Sequence, residues 1–292
     1  MIVSNIVGGL GNQMFQYACG RAISVRTGQA LRLATDQLDE YQSHNGLELL
    51  NIFDLDVSIA TSEEMNALIG IRANSKVRRL LGRPSMTWAA WGAWCNEPNF
   101  AYWPAIKKVS HPAYVHGYWQ SEQYFEEISN IIRKDFTFRT GWDPLDLAVR
   151  ERMAAGVCAS IHVRRGDYLS PKHKNVYDQC DVAYYVEAVN LLRQKIPNIN
   201  LFAFSDEPAW VESCLQPFIG KVEVISHNLG LKSSNDMRLM SIADHHIIAN
   251  SSFSWWGAWL NPREDKTVIA PKSWFADGRS TSSLIPSSWI RL

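Results

Sequence analysis

The sequence predicts an α/β protein whose sheets are parallel. Short apolar segments alternate with helical patterns, and polar residues follow nearly every predicted strand of the second half. Strands that alternate with helices favour a parallel sheet covered on both faces. The 292 residues suffice for one large or two modest domains. We place a domain junction near residue 150, which gives segments 1–150 and 151–292.

The first segment opens with a strand, a glycine turn and a helix. The strand is predicted at Ile2–Val7, and Gly8-Gly-Leu-Gly11 predicts a tight turn after it. Apolar residues then recur at helical spacing, at Phe15, Ala18, Cys19 and Ala22. Ala30–Ala34 predicts the second strand.

The second segment has a more regular alternation. Asp181 is typical of a helix N-cap, and an apolar stripe follows it. Strands are predicted at Cys158–Val163, Asn200–Phe204, Val222–Ile225, His246–Ala249 and Thr267–Ala270. Further helices are predicted at Met237–Ala243 and Phe253–Leu260.

Polar residues follow the predicted strands of this segment. They are Arg164-Arg165, Ser205-Asp206, His227-Asn228 and Asn250-Ser251-Ser252. Ligands of open α/β sheets bind at the carboxyl ends of the strands. These polar groups are therefore expected to converge on one rim, which is typical of a nucleotide site.

Composition excludes some classes of function and favours others. Lys+Arg and Asp+Glu number 29 each, and duplex nucleic acid normally requires a basic excess. Five scattered cysteines without a CxxC pair predict free thiols in a reducing cytosol. No signal-like start or long apolar window occurs, which predicts a cytoplasmic chain without a spanning helix. Twelve tryptophans are compatible with sugar stacking or with core packing.

The segment His162-Val-Arg-Arg-Gly-Asp167 lies where a buried strand emerges into a loop. Two adjacent arginines cannot stay buried there without anionic partners. A diphosphate suits them, because guanidinium binds it bidentately and keeps its charge. Asp167 is a candidate to hold an arginine or to act on a substrate hydroxyl. A salt-bridged strand end is the alternative interpretation.

Asn250-Ser-Ser-Phe-Ser-Trp-Trp-Gly-Ala-Trp259 predicts a strand end followed by a serine-capped helix. The backbone N–H groups of a helix N-terminus bind anions. Phe253 is a candidate to line a nucleotide pocket. A plain N-cap on an aromatic core helix is the alternative.

Two further motifs give weaker signals. In Gly8-Gly-Leu-Gly-Asn-Gln13 a dinucleotide fingerprint would require a small residue where Met14 stands, which counts against NAD. Asn12 can still donate to a phosphate. In Phe204-Ser-Asp-Glu-Pro208, Asp206 is a candidate to accept both N–H groups of a guanine edge. The same Asp-Glu-Pro sequence is also common at the start of a helix.

Together these segments resemble the bacterial α1,2-fucosyltransferases of glycosyltransferase family 11. The resemblance extends over nearly the whole chain and is weakest at about residues 60 to 115. Its segments are Gly8-Gly-Leu-Gly-Asn-Gln-Met-Phe-Gln-Tyr17, Gly117-Tyr-Trp-Gln120, His162-Val-Arg-Arg-Gly-Asp-Tyr168, Ser205-Asp-Glu207 and Asn250-Ser-Ser-Phe-Ser-Trp-Trp-Gly257. The His-x-Arg-Arg element is also similar to that of α1,6- and protein O-fucosyltransferases.

The resemblance implies a GT-B-like architecture, with two Rossmann-like domains that face each other across a cleft. It implies an acceptor-side domain at 1–150 and a GDP-fucose-binding domain at 151–292. The implied reaction moves L-fucose from GDP-β-L-fucose, with inversion, to the 2-hydroxyl of a terminal galactose on an oligosaccharide or glycolipid. Surface polysaccharide or O-antigen synthesis is the implied setting. No metal or other cofactor is implied.

The resemblance also assigns residues. Arg164 would hold the β-phosphate with Arg165 beside it, and Asn12 would reach the phosphate from the other domain. His162 and Asp206 would meet the guanine. The remaining donor-side residues are Gly9, Gly11, Glu207, Ser251, Ser252 and Phe253. Asp167 is the first candidate to orient the acceptor hydroxyl or to act as its base, and Asp178 and the donor phosphate itself are its rivals.

Several rival interpretations stay open, and one of them is a fucosyltransferase that forms another linkage. Asp54-Leu-Asp56 is a D-x-D that a metal-dependent transferase would use, although the same pattern fits a half-exposed surface segment. Two further alternatives are an NAD-dependent enzyme and a carbohydrate-binding module that uses the tryptophans. Finally, Lys76–Trp94 is basic and rich in tryptophan, so a peripheral contact with an anionic membrane face competes with a solvated surface.

Overall fold

The computed structural model describes residues 1–38, 45–82, 86, 92–166 and 178–292. The chain divides into two compact units, Met1–Arg139 with Ser282–Leu284 and Thr140–Thr281 with Ile285–Leu292. The second unit thus begins before the predicted junction at residue 150, which falls inside a helix. That helix carries the fully buried Asp146, which accepts hydrogen bonds from His227 and Asn228 of the second unit.

The first unit contains a parallel sheet of five strands among its described residues, in the order β3-β2-β1-β5-β4. The strands are β1 Ile2–Asn5, β2 Leu31–Ala34, β3 Ser58–Ile59, β4 Trp94–Asn96 and β5 Ala113–His116. The α-helices are α1 Leu10–Thr27, α2 Leu49–Ile52, α3 Ser62–Ile69, α4 Ser75–Leu81 and α5 Ser129–Asp135. Short 3₁₀ turns occupy Gly70–Ala73, Pro104–Lys108, Glu122–Tyr124 and Glu126–Ile128.

Helix α1 packs on β1 through small residues. The predicted stripe of Phe15, Ala18, Cys19 and Ala22 is buried. A Cβ added at Gly20 would lie 2.9 Å from the Cβ of Ser4, so glycine permits this close approach. Strand β1 ends at Asn5 rather than at the predicted Val7. The loop between β1 and α1 therefore begins earlier than predicted.

The second unit contains a six-stranded parallel sheet in its described part, in the order β11-β10-β9-β6-β7-β8. The strands are β6 Cys158–Val163, β7 Asn200–Ser205, β8 Glu223–Ile225, β9 His245–Ile247, β10 Val268–Ala270 and β11 Ile290–Arg291. The α-helices are α6 Pro144–Ala154, α7 Val182–Lys195, α8 Pro208–Trp210, α9 Gln216–Ile219, α10 Ser234–Met240 and α11 Ser252–Leu260. A π-helical turn spans Val211–Leu215, and a 3₁₀ turn spans Gly230–Ser233.

Most predicted elements of this unit are present, with shifted ends. The prediction for β6 matches its bounds, and Asp181 caps α7 by accepting from the N–H of Tyr184 at 2.9 Å. Helix α10 begins earlier than predicted, at Ser234, and Asn235 in its first turn donates to the buried Asp146 at 2.8 Å. Strand β9 ends at Ile247 instead of Ala249.

The tryptophans and cysteines serve mainly as core. Trp255, Trp256 and Trp259 are buried in α11 and contact one another through their rings. Four of the five cysteines are buried, Cys214 is half-buried, and all five are free thiols. Trp88 and Trp91, which belong to the basic segment with predicted membrane contact, lie outside the described residues.

The D-x-D motif lies at the amino end of β3. Asp54 and Asp56 are exposed and precede Ser58, which pairs with Arg32 of β2. Asp54 lies 4.0 Å from the guanidinium of Arg139. The motif is therefore at the sheet edge opposite to the glycine turn that follows β1. Within the described ranges, no helix combines the length and the apolar character that a membrane crossing requires.

Candidate functional site

The second sheet reverses its strand order beside β6. From β6 the chain adds β7 and β8 on one side, then β9, β10 and β11 on the other. A crevice opens at such a switch point, outside the carboxyl ends of the strands, and ligands of α/β sheets bind there. The loop that begins at Arg164 and the helix that begins at Ser252 follow the two strands at this point.

The parallel register places Arg164 beside Asp206. Val163 pairs with Ser205, so the two strands enter their loops at the same level. Asp206 accepts the N–H of Arg165 at 3.0 Å and the N–H of Gly166 at 3.1 Å. Its Oδ2 also lies 3.2 Å from Nη1 of Arg164. One carboxylate therefore fixes both the backbone of this loop and the first arginine side chain.

Gly166 leaves room for the same contact. A Cβ at this position would lie 3.0 Å from Oδ2 of Asp206, which is closer than most Cβ contacts. A larger residue would require the carboxylate to shift by a few tenths of an ångström.

Arg165 is held by a different pair of residues. Its guanidinium carbon lies 4.2 Å from the ring centroid of Trp210, and its Nε lies 3.5 Å from Oε2 of Glu207. That Nε is buried and makes no hydrogen bond within the described part of the chain. A guanidinium held over an aromatic ring keeps its charge and its orientation.

His162 lies beneath the arginines as a neutral ring. Burial, together with the charge of Arg164, lowers the pKa of His162 to about 3. Its ring centroid is 5.8 Å from that of Phe253, and Tyr185 donates to its carbonyl at 3.1 Å. Nδ1 is buried and has no hydrogen-bond partner among the described residues. Such a nitrogen is costly to bury unless a ligand or water satisfies it.

Helix α11 presents its N-terminus beside this loop. Ser251 is the N-cap residue, yet its side chain makes no capping hydrogen bond, so the predicted serine cap is wrong in that detail. The first N–H groups of a helix have no intrahelical acceptor. Without a capping side chain from Ser251, the N–H groups of Ser252 and Phe253 suit an anion.

Asn250 ties two backbone segments to the same rim. Its Nδ2 donates to the carbonyls of Asp178 and Trp274, the latter at 3.0 Å. Asp178 is exposed, and its own N–H donates to Trp274 at 3.4 Å. These contacts hold the backbone of Asp178, one of the two predicted carboxylate bases, at the carboxyl edge of the second sheet, and its Oδ1 accepts the N–H of Gln179 at 3.0 Å. The other, Asp167, lies outside the described residues.

In the first unit, the glycine turn and the Gly117–Gln120 loop also meet at a switch point, between β1 and β5. Gly9 is the N-cap of α1 and Gly8 has a φ of +78°, which favours glycine. Gln120 donates from Nε2 to Oδ1 of Asn12 at 2.6 Å. Met14 is buried in the core, so the position that a dinucleotide fingerprint keeps small is filled here.

The structure thus brings together the predicted residues of the second unit. These are His162, Arg164, Arg165, Asp206, Glu207, Ser251, Ser252 and Phe253. Gly9, Gly11 and Asn12 lie together in the first unit. Their roles toward a ligand stay predictions. Asp206, which follows β7, is engaged by the loop that follows β6, where it contacts Arg164 and accepts the N–H groups of Arg165 and Gly166. Sequence reasoning missed Trp210, although the register that aligns Val163 with Ser205 places the residues after Glu207 near Arg165.

Comparison with known proteins gives consistent results. Residues 99–292 match the model of the family described as Glycosyl transferase family 11. The chain is 33% identical to an alpha-1,2-colitosyltransferase of Escherichia coli over 299 residues, covering 100% of this chain and 99% of the relative. It is 30% identical to the O-antigen biosynthesis glycosyltransferase WbnK of Escherichia coli over 311 residues, covering 99% of each.

A solved structure supports the fold. NodZ alpha-1,6-fucosyltransferase soaked with GDP-fucose aligns with a TM-score of 0.53 and 15% identity, over 89% of this chain and 92% of that one. At this identity the likeness concerns the fold alone. It confirms the predicted GT-B-like α/β class.

Proposed function

The chain belongs to glycosyltransferase family 11, and we propose that it transfers L-fucose from GDP-β-L-fucose to the 2-hydroxyl of a terminal galactose. The linkage rests on the family resemblance and on the relative named as an alpha-1,2-transferase. The donor rests on the family resemblance and on the arginine pair described below, and the fold is also that of a fucosyltransferase soaked with GDP-fucose. The second relative supports an acceptor that belongs to an O-antigen or a related surface polysaccharide.

One observation carries this proposal. Arg164 and Arg165 leave a buried strand at the switch point of the second sheet, and each is held in place by its own partners, Asp206 and the pair Glu207 with Trp210. An arginine pair next to an uncapped helix N-terminus is suited to a diphosphate. The neutral His162 and Phe253 beside it offer a ring surface and one unsatisfied nitrogen to a base.

The chemistry follows from these charges. Inversion requires a single displacement at the anomeric carbon, in which the bond to the GDP oxygen breaks as the acceptor oxygen bonds. Negative charge accumulates on the departing diphosphate. Fixed guanidinium and N–H groups stabilise that charge in the transition state, and the loss of one such donor typically costs about 3–4 kcal/mol.

The acceptor hydroxyl must also lose its proton. Asp178 is held at the rim by Asn250 and is our structural candidate, with Asp167 and the donor phosphate as rivals. Asp178→Asn and Asp167→Asn separate them. In the variant that lacks the base, kcat no longer decreases at low pH through protonation of that base. In the other variant this decrease remains.

A second donor is favoured by a specific comparison. The relative at 33% identity is named for colitose, which is L-fucose without its 3-hydroxyl. Rates with GDP-L-fucose and GDP-colitose at equal concentration decide between the two. A kcat/KM for GDP-colitose well above that for GDP-L-fucose would replace fucose in the proposal while leaving the reaction type intact.

The principal test is transfer by Arg164→Ala and Arg164→Lys. Both should retain the circular dichroism spectrum and lose about 100-fold or more in kcat, because lysine cannot reproduce the bidentate contact. Product linkage is read by NMR after reaction with a panel of galactosides. Near-wild-type turnover in Arg164→Ala would refute the diphosphate role of this loop.

We further propose that transfer needs no metal ion, since guanidinium groups supply the positive charge at the diphosphate. Activity in EDTA should equal activity in Mg²⁺ or Mn²⁺. If EDTA abolished transfer and either ion restored it, the metal-dependent alternative would regain support, with Asp54 and Asp56 as the first variants to make.

A further inference from the structure

Glu97 follows β4 at the carboxyl edge of the first sheet, and its side chain holds the loop that follows the neighbouring strand β5. The carboxylate accepts the N–H of Tyr118 at 2.7 Å and the N–H of Trp119 at 3.1 and 3.2 Å. Its own N–H donates to the carbonyl of His116 at 2.9 Å. Glu97 therefore fixes the start of the Gly117–Gln120 loop by both backbone and side chain.

The loop has a conformation that needs such support. Trp119 has a φ of +55°, in the left-handed region that residues other than glycine rarely adopt. Its ring is fully buried, with the ring of Tyr124 edge-on at 5.3 Å. A Cβ at Gly117 would lie 2.4 Å from the Cβ of Glu97, so only glycine fits against the carboxylate. Strained backbone of this kind persists where its surroundings determine it and is common at functional sites.

The loop ends at the glycine turn after β1. Gln120 donates from Nε2 to Oδ1 of Asn12, which selects the orientation of the Asn12 amide. With its oxygen engaged, Asn12 offers the N–H groups of Nδ2, which have no acceptor among the described residues. Asn12 is half-buried at the switch point between β1 and β5. Its amide is thus set as a donor toward an oxygen atom.

We propose that Glu97 is a positioning residue for transfer, which acts through the Gly117–Gln120 loop and Gln120 to present the Asn12 amide as a hydrogen-bond donor to an oxygen of the bound substrate. The inference rests on the proposed function, because it takes the substrate of that reaction as the partner of Asn12. Glu97 itself contacts no substrate in this account.

Burial of the Glu97 carboxylate costs free energy, and this cost supports a functional reason for its position. Burial raises the pKa of Glu97 to about 7, although the N–H groups of Trp119 and Tyr118 act in the opposite direction. A glutamine would fill nearly the same space without the charge. It would also bring an NH₂ group toward two backbone donors that need acceptors.

A double-mutant cycle tests the proposal. Glu97→Gln should lower kcat by about 10-fold to 100-fold, the loss expected when charge-assisted hydrogen bonds are removed. Gln120→Leu should lower it similarly, without altering Glu97. In the Asn12→Ala background neither change should lower kcat further, because the group they position is gone. The exposed Glu63→Gln in the same unit is the matched control.

A merely structural role predicts a different result. In that case Glu97→Gln would lower kcat by the same factor with or without Asn12, and the proposal would be overturned. It would equally be overturned if Asn12→Ala retained wild-type kcat. Should Glu97→Gln fail to fold, Glu97→Asp gives the same cycle, because it keeps the charge and shortens the reach to the N–H groups of Tyr118 and Trp119.

A substrate-free measurement separates this inference from the proposed reaction. In ¹⁵N-labelled protein the Asn12 side-chain amide signals, assigned by their loss in Asn12→Ala, should shift in Glu97→Gln and Gln120→Leu but not in Glu63→Gln. Unchanged signals in Glu97→Gln would refute the positioning chain whatever the donor. Conversely, full activity in Arg164→Ala would refute the proposed function. The expected shifts of the Asn12 signals do not depend on that result.

Discussion

Asp206 and Arg164 form the central contact of the candidate donor site, with Oδ2 of the aspartate 3.2 Å from Nη1 of the arginine. The same carboxylate accepts the backbone N–H groups of the two residues that follow Arg164. The arginine is therefore oriented before any ligand binds. A preoriented cation stabilises charge in a transition state without reorganising at the moment of reaction.

The first prediction concerns this carboxylate. Asp206→Ala should lower kcat/KM about 100-fold and Asp206→Asn about 10-fold, since the amide retains an accepting oxygen but lacks the charge. Steady-state kinetics and a thermal melt check this, with the exposed Glu187→Ala as control. Wild-type kinetics in Asp206→Ala would contradict it. A reduced preference for GDP over ADP as inhibitor would reveal the additional guanine contact predicted from the sequence.

The second prediction concerns Trp210, whose ring lies 4.2 Å from the guanidinium carbon of Arg165. Trp210→Leu keeps an apolar side chain and removes the aromatic face. Cation–π contacts contribute about 0.5–2 kcal/mol, so the KM for the donor should rise by up to roughly tenfold. The donor KM of Trp210→Phe should lie between that of the wild type and that of Trp210→Leu. An unchanged KM in Trp210→Leu would show that Glu207 alone orients Arg165.

The third prediction concerns His162. Its pKa falls from the ordinary 6.5 to about 3 because of burial and the charge of Arg164. The unfolded chain takes up a proton below about 6.5, whereas the folded chain stays neutral, so this residue makes stability decrease as the pH falls toward 3. His162→Phe should flatten the decrease in melting temperature between pH 6.5 and pH 4.

The exposed His111→Phe is the control for that measurement and should leave the slope as it is. Donor KM provides an independent readout, since phenylalanine keeps the ring beside Phe253 but removes the nitrogen that has no partner. Equal slopes in wild type and His162→Phe would contradict the assigned burial.

The fourth prediction concerns Asp236, which lies beside the buried Asp146. Burial raises its pKa to about 7, against the hydrogen bond from Asn228 and with the added repulsion of Asp146. The folded state therefore prefers the protonated acid, and stability decreases as the pH rises from about 4 through 7. Asp236→Asn should be more stable than wild type at pH 8, and the difference should shrink toward pH 4.

Melting temperatures across this range check the prediction, with the exposed Asp54→Asn as control. A constant difference between wild type and Asp236→Asn at all pH values would show that the carboxyl is ionised throughout.

Much of the second unit could be predicted from local sequence. The apolar run Cys158–Val163 and the capping Asp181 predict their elements because hydrophobic periodicity and N-cap chemistry are local properties. The polar strand ends predict a rim because parallel strands end on one side. The end of β1 and the position of α10 were less predictable, since long-range contacts such as those of Asp146 decide where an element stops.

The sequence by itself determined the α/β class, the family and the set of charged residues at the strand ends. Only the tertiary structure decided which of these residues contact one another. It assigned Asp206 to Arg164 and Trp210 to Arg165, through the pairing of β6 with β7. It also joined Glu97, Gln120 and Asn12, three residues far apart in the chain. The physical reason is that strand order and register set these contacts, and both depend on the packing of the whole sheet.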